Sequence, residues 1–196
     1  MKRVLDILFA LLAVAFLLLP GLIIALMIKL GSKGGVFFKQ IRVGKEGSEF
    51  SIIKFRSMKP ESESTGQLTV GERDPRITRI GQFLRKSKLD ETPQLFNIIK
   101  GEMSIVGPRP EVPKYVSMYT TEQRQVLAVR PGLTDLASLE YFEENRLLGE
   151  SMDPEQTYID TIMPHKLSLN MKYIQEKSLL LDAKIIWLTI KRILGV

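Results

Sequence analysis

The chain has 196 residues, enough for one domain with a substantial core and hardly enough for two. Lys and Arg total 28 against 22 Asp and Glu, and the net charge of +6 favours an anionic partner: nucleic acid, lipid headgroups or a phosphorylated substrate. Cysteine is absent, which excludes disulfides, thiolate metal sites and a cysteine nucleophile, and permits a reducing compartment.

Val4 to Ile28 is almost uninterrupted hydrocarbon, broken only by Asp6 and by Pro20-Gly21. A straight helix over this run would be about 37 Å long, against a bilayer hydrocarbon core of about 30 Å. The run is too long for a signal-peptide core and lacks a small-residue cleavage site. Lys2 and Arg3 precede it and Lys29 and Lys33 follow it, so the positive-inside rule draws both ends toward the cytoplasm. A bend at Leu19-Pro20-Gly21 satisfies both ends by turning a re-entrant helix back within one leaflet. A kinked spanning helix is the alternative, because membrane helices tolerate proline. Asp6 needs a partner near the interface, and Lys2 and Arg3 are the nearest cations in sequence.

Beyond a Gly-rich linker, Val36 to Arg42 and Phe50 to Phe55 are short runs of β-formers around a turn-like Val43 to Ser48, which predicts a β-hairpin. Alternation along its second strand puts Lys54 and Arg56 on one face, an arrangement suited to a phosphate or to an ordinary solvated edge. Lys59 to Arg73 reads as a surface loop. Ile77, Ile80 and Leu84 recur at helical spacing, with Arg76, Arg79, Arg85, Lys86 and Lys88 as a basic face. That face suits lipid or solvent as well as substrate.

A second short helix follows: Pro93 suits its first position, Leu95, Phe96, Ile98 and Ile99 are apolar, and Gly101 terminates it. Asp90 and Glu91 then stand at its N-terminal mouth, where acids serve as caps as readily as catalysts. In Val106-Gly107-Pro108-Arg109-Pro110 two prolines stiffen the backbone around an arginine whose planar fork matches phosphate oxygens. Glu122 to Val129 reads as helix, Arg130 to Thr134 as a turn, and Asp153 to Glu176 as helix interrupted near Pro164. The lone His165 has no paired acid or nucleophile and is assigned no catalytic part. Ser178 to Val196 mixes aliphatic residues, Trp187 and basic residues in the pattern of a membrane-interface helix, a pattern shared by a helix packed on a core.

Taken together these stretches resemble the bacterial sugar transferase family, the monotopic phosphoglycosyl transferases that load a phospho-sugar onto a polyprenol phosphate carrier. The likeness runs from Lys2-Arg3-Val4-Leu5-Asp6, through Lys54-Phe55-Arg56-Ser57-Met58 and Arg85-Lys86-Ser87-Lys88-Leu89-Asp90-Glu91-Thr92-Pro93-Gln94-Leu95, to Gly101-Glu102-Met103-Ser104-Ile105-Val106-Gly107-Pro108-Arg109-Pro110 and Arg130-Pro131-Gly132-Leu133-Thr134.

The resemblance implies an α+β, mainly helical chain: residues 1–30 a re-entrant membrane helix entered through Lys2, Arg3 and Asp6, and residues 31–196 a catalytic domain on the cytosolic face with a C-terminal interfacial helix. It further implies location at the bacterial inner membrane, a UDP-sugar donor, a polyprenol phosphate acceptor and Mg²⁺. By the same resemblance Asp90 is the nucleophile that forms a covalent phospho-sugar intermediate and releases UMP. Glu91 is the second acid and, with Asp90, holds the metal. Arg109, Lys54 and Arg85 surround the donor phosphates.

Two departures stand out. Leu19 precedes Pro20 where the family often has serine, and many relatives carry an arginine near the position of Phe142, where this chain has none closer than Arg146. A non-catalytic membrane adaptor that binds anionic lipid is the alternative from another class. Nucleic acid is disfavoured because the basic residues lack an interleaved base-stacking pattern. Homo-oligomer formation is left open.

Overall fold

A computed structural model describes residues 1–60, 62, 68–71 and 74–196. Most of the surface loop expected over Lys59–Arg73 lies outside these. The fold is mainly helical, with two small two-stranded sheets.

Helix α1, Lys2–Gly31, is one thirty-residue helix that continues through Leu19, Pro20 and Gly21, so these residues do not divide it into two elements. It is long and apolar enough to cross a membrane. One stripe of it touches the body: Arg3, Asp6, Ala10, Val14, Leu17, Gly21, Ile24 and Ile28 recur every three or four residues, as a helical face requires. The remaining faces stay bare, Phe16 being 82% and Leu19 69% exposed. An apolar surface that extensive is the kind that marks a membrane or protein contact.

Strands β1, Phe37–Val43, and β2, Glu49–Phe55, form the expected antiparallel hairpin, pairing Phe37 with Phe55 and Val43 with Glu49. Glu46 sits at φ 58° in its turn. Next come α2, Arg79–Lys86, capped by Thr78 Oγ1 accepting from the Gly81 amide, and α3, Gln94–Lys100, ended by Gly101 at φ 98°. Ala10 of α1, Phe50 and Ile52 of β2, and Leu95 and Ile98 of α3 share one apolar cluster, which fixes the first helix to the hairpin.

β3, Ser104–Val106, lies parallel to a strand far along the chain. After α4, Pro113–Val116, the segment Gln123–Ala128 forms a 3₁₀ helix where a helix is predicted. The predicted turn at Arg130–Thr134 instead contains strand β4, Gly132–Thr134, which pairs Ser104 with Gly132 and Val106 with Thr134. Glycine is required at 132: a Cβ there would come within 2.1 Å of the Gly107 nitrogen. This backbone-on-backbone approach lodges Pro108-Arg109-Pro110 beside Arg130-Pro131-Gly132.

Short helices α5, Leu136–Glu140, α6, Glu144–Gly149, and α7, Pro154–Thr157, lead through a π-helical turn, Tyr158–Ile162, into α8, Met163–Glu176. The expected interruption near Pro164 is therefore this π turn, and Pro164 sits harmlessly in the first turn of α8. The His165 ring meets the Tyr141 hydroxyl, at 2.7 Å from Nδ1. Helix α9, Leu179–Leu194, buries Ile185 and Asp182 against the body while Leu180 and Trp187 are 82% and 62% exposed.

The charges at the start of α1 reach across the fold. Lys2 pairs with Asp182 of α9, Arg3 Nη2 donates to the Ile98 carbonyl at 2.7 Å, and Asp6 accepts from Ser104 Oγ at 2.8 Å and the Ile105 amide at 3.2 Å. The expectation that Lys2 or Arg3 serves Asp6 is thus corrected. Arg3 satisfies carbonyls that α3 leaves open at its C-terminus, and Asp6 binds the incoming β3.

Candidate active site

The site begins with a short turn rather than a helix end. Leu89–Glu91 is a 3₁₀ turn separated from α3 by Thr92 and Pro93, and α3 has no side-chain cap. Capping of α3 is therefore not the job of Asp90 or Glu91. The turn is entered through Lys88 in the left-handed region, φ 56°, which a non-glycine residue seldom occupies.

The two carboxylates have different surroundings. Glu91 is clamped between cations: Lys54 Nζ donates to its Oε1 at 2.9 Å, and Arg109 binds both oxygens in a fork, with Nη1 to Oε2 at 3.1 Å. Burial disfavours its charge, but Arg109 and Lys54 outweigh that and hold its carboxyl well below the usual range. Asp90, 6% exposed, has an Oδ1 with no hydrogen-bond partner among the described residues. Burial raises its pKa, Lys54 opposes the rise, and Glu91 adds to it.

Each cation is held from behind. Lys54 is the penultimate residue of β2, a strand braced by Asn97 of α3, whose carboxamide accepts from the Ile53 amide at 3.1 Å and donates to the Ser51 carbonyl at 2.8 Å. Burial lowers the Lys54 pKa, offset in part by Glu91. Arg85 Nε donates to Ser57 Oγ at 2.9 Å and its Nη1 to Thr69 Oγ1 at 3.1 Å. The Arg109 amide donates to Asp135 Oδ2 at 3.1 Å while Asp135 Oδ1 caps α5 through the Ser138 amide at 2.7 Å.

Sequence reasoning passed over Asp135 and Asn97. Asp135 carries a signal, an N-cap acid directly after Gly-Leu-Thr. Arg56 does not join Lys54: the strand stops at Phe55, and the Arg56 guanidinium turns to the Ser32 carbonyl, 2.9 Å from Nη2, and to that of Lys33.

Asp90, Glu91, Lys54, Arg85, Lys88 and Arg109 line a cavity of about 710 Å³. Its other walls include Ala13 and Leu17 of α1 and Ile186, Ile190 and Ile193 of α9. Lys2, Arg3, Asp6, Leu19, Pro20 and Gly21 are not part of its lining. The cavity is thus lined both by these charged side chains and by apolar residues of α1 and α9. Among the described residues no three His, Cys, Asp or Glu side chains group as a metal cage. The donor set suits instead a hard cation with few protein ligands, the remainder coming from phosphate and water.

Residues 1–195 match the family model described as bacterial sugar transferase, so the chain belongs to that family. Among its relatives, a UDP-N-acetylgalactosamine-undecaprenyl-phosphate N-acetylgalactosaminephosphotransferase of Aeromonas hydrophila is 39% identical over 98% of this chain and 43% of its own length. UDP-glucose:undecaprenyl-phosphate glucose-1-phosphate transferases of Escherichia coli and Caulobacter vibrioides are 37% and 36% identical, over 97% and 98% of this chain and 39% and 69% of their own lengths. The chain therefore spans less than half the length of two of these relatives.

Proposed function

We propose that the protein transfers a sugar phosphate from a UDP-sugar to polyprenol phosphate at the bacterial cytoplasmic membrane, with its catalytic face toward the cytoplasm. The observation that carries the reading is the free, buried oxygen of Asp90 among Lys54, Arg85 and Lys88, in a cavity also lined by apolar residues of α1 and α9. The names of the relatives supply the donor and acceptor classes.

In the first step an Asp90 carboxylate oxygen attacks the β-phosphorus of the donor, the bond from that phosphorus to the bridging oxygen breaks, and UMP leaves. An acyl phosphate bearing the sugar remains on Asp90. In the second step a phosphate oxygen of the acceptor attacks the same phosphorus, which frees Asp90 and yields a polyprenyl diphosphate sugar. Lys54 and Arg85 lower the repulsion between an anionic nucleophile and an anionic donor. Arg109, now committed to Glu91, becomes a phosphate ligand by exchanging one anion for another. Mg²⁺ would be held by Asp90, and by Glu91 once it gives up an ion pair, and supplies charge neutralisation at the pyrophosphate.

The same reading favours α1 as a re-entrant helix rather than a spanning one. Both its ends bind the one body, through Arg3 to Ile98 and through Ile28 and Ser32 to Arg56, which suits a helix dipping into a single leaflet. Helix α9 then lies at the interface with Trp187 among the headgroups. The test is mass spectrometry after mixing with UDP-sugar alone: a phospho-sugar adduct on Asp90 is expected, and an adduct elsewhere, or none, refutes the assignment.

A further inference from the structure

Two cations near the site form no ion pair with the carboxylates already described. Lys88 Nζ lies 5.0 Å and Arg192 Cζ 5.4 Å from the centroid of the same ring, that of Phe142. Neither Lys88 nor Arg192 is paired with an acid among the described residues. The π-cloud of the ring attracts both cations without neutralising either. An arrangement that concentrates unpaired positive charge is costly unless an anion completes it. Lys88 also occupies a left-handed backbone conformation, the kind of local strain that persists where a side chain must be aimed.

Position identifies the anion. Lys88 and Phe142 line the cavity that contains Asp90, and Lys88 is two residues from the nucleophile. Arg192 is exposed on α9, the helix that offers Thr189, Ile190 and Ile193 to the cavity and bares Leu180 and Trp187 on its surface. A phosphate carried on a lipid tail approaches along that helix, whereas a nucleotide arrives from water. We propose that Lys88 and Arg192, mounted on Phe142, form the binding site for the phosphate monoester of the lipid acceptor, holding it between α9 and Asp90. This rests on the transferase reading and assigns its second substrate to named residues.

The full-length protein in vesicles containing undecaprenyl phosphate separates the two phosphate sources. One assay follows phospho-sugar adduct formed from UDP-N-acetylgalactosamine or UDP-glucose without acceptor; the other follows lipid-linked product against acceptor concentration. Arg192 is the cleaner probe, since Lys88 also faces Asp90 and Glu91. Arg192→Gln and Phe142→Leu are expected to raise the acceptor KM about tenfold, the scale of one lost hydrogen bond to a charged group. The donor-alone rate should change less than about twofold, and Phe142→Tyr, which keeps the ring face, should retain the parental KM.

An unchanged acceptor KM in Arg192→Gln overturns the proposal. So does an equal loss in both assays, which moves the cations to the donor phosphates. An equal KM rise in Lys184→Gln, which removes one charge from elsewhere on the same helix, also overturns it by assigning the effect to general attraction for the vesicle. A parental protein that forms neither adduct nor product refutes the transferase reading itself.

Discussion

The half of the site around Glu91 is closed and the half around Asp90 is open, although one peptide bond separates them. Glu91 meets a lysine near the end of β2 and an arginine from a proline-stiffened segment, and its charge is satisfied before any substrate arrives. Asp90 shares the burial but keeps a free oxygen. The difference teaches that burial alone does not define a reactive carboxylate. What matters is whether nearby cations bond to it or merely surround it, and here the bonded acid holds in place the cations that surround the other.

The largest expected effect comes from erasing the open half. Asp90→Asn preserves size and should lower turnover at least ~1000-fold in UMP release, with the covalent adduct lost. Erasing the closed half should cost fold rather than chemistry first: Glu91→Gln strands Lys54 and Arg109 in a buried place and should destabilise by about 3–5 kcal/mol in thermal or urea unfolding. Gly132→Ala tests whether the closed half depends on how Arg109 is delivered. Forcing a methyl onto the Gly107 backbone should cost about 1–3 kcal/mol and reduce activity through a displaced Arg109.

Acidity sharpens the contrast with the smallest perturbation. On the proposed reading, the raised pKa of Asp90 predicts that activity falls as pH drops through a value above the ordinary aspartate one, because the protonated acid cannot attack. Removing a cation with Lys54→Met should move that acidic limb to higher pH in a kcat/KM profile. Glu91 has the opposite sign. Its depressed pKa contributes stability that is fully present above the ordinary glutamate value and is lost as pH falls toward the folded-state value, so Glu91→Gln should flatten the acid arm of a stability profile.

Local pattern was enough for the hairpin, where β-formers flank a Gly-rich turn, and for the short helix between Pro93 and Gly101. The family resemblance, rather than local pattern, singles out Asp90, Glu91, Lys54, Arg85 and Arg109, which the fold gathers in one cavity. The failures share a physical cause. Strand β4 exists only because it pairs with β3, twenty-eight residues earlier in the register from Gly132 back to Ser104, so a local reading saw a Pro-Gly turn. Arg56 looked like a partner of Lys54 because alternation was extended past the end of the strand, while its actual acceptors close a helix that ends before the hairpin begins. The partners of Lys2, Arg3 and Asp6 lie about a hundred residues away or more, beyond any periodicity.

The link from Lys2 to Asp182 has a consequence for assembly. Asp182 also accepts the Tyr173 hydroxyl at 2.7 Å, so the first helix, α8 and α9 meet at one carboxylate. During synthesis α1 leaves the ribosome long before that carboxylate is made. On the proposed reading, the nascent chain parks its hydrophobic α1 in the bilayer while the far wall of the cavity is still missing. Assembly is then completed at the membrane surface, where α9 arrives to fasten onto α1.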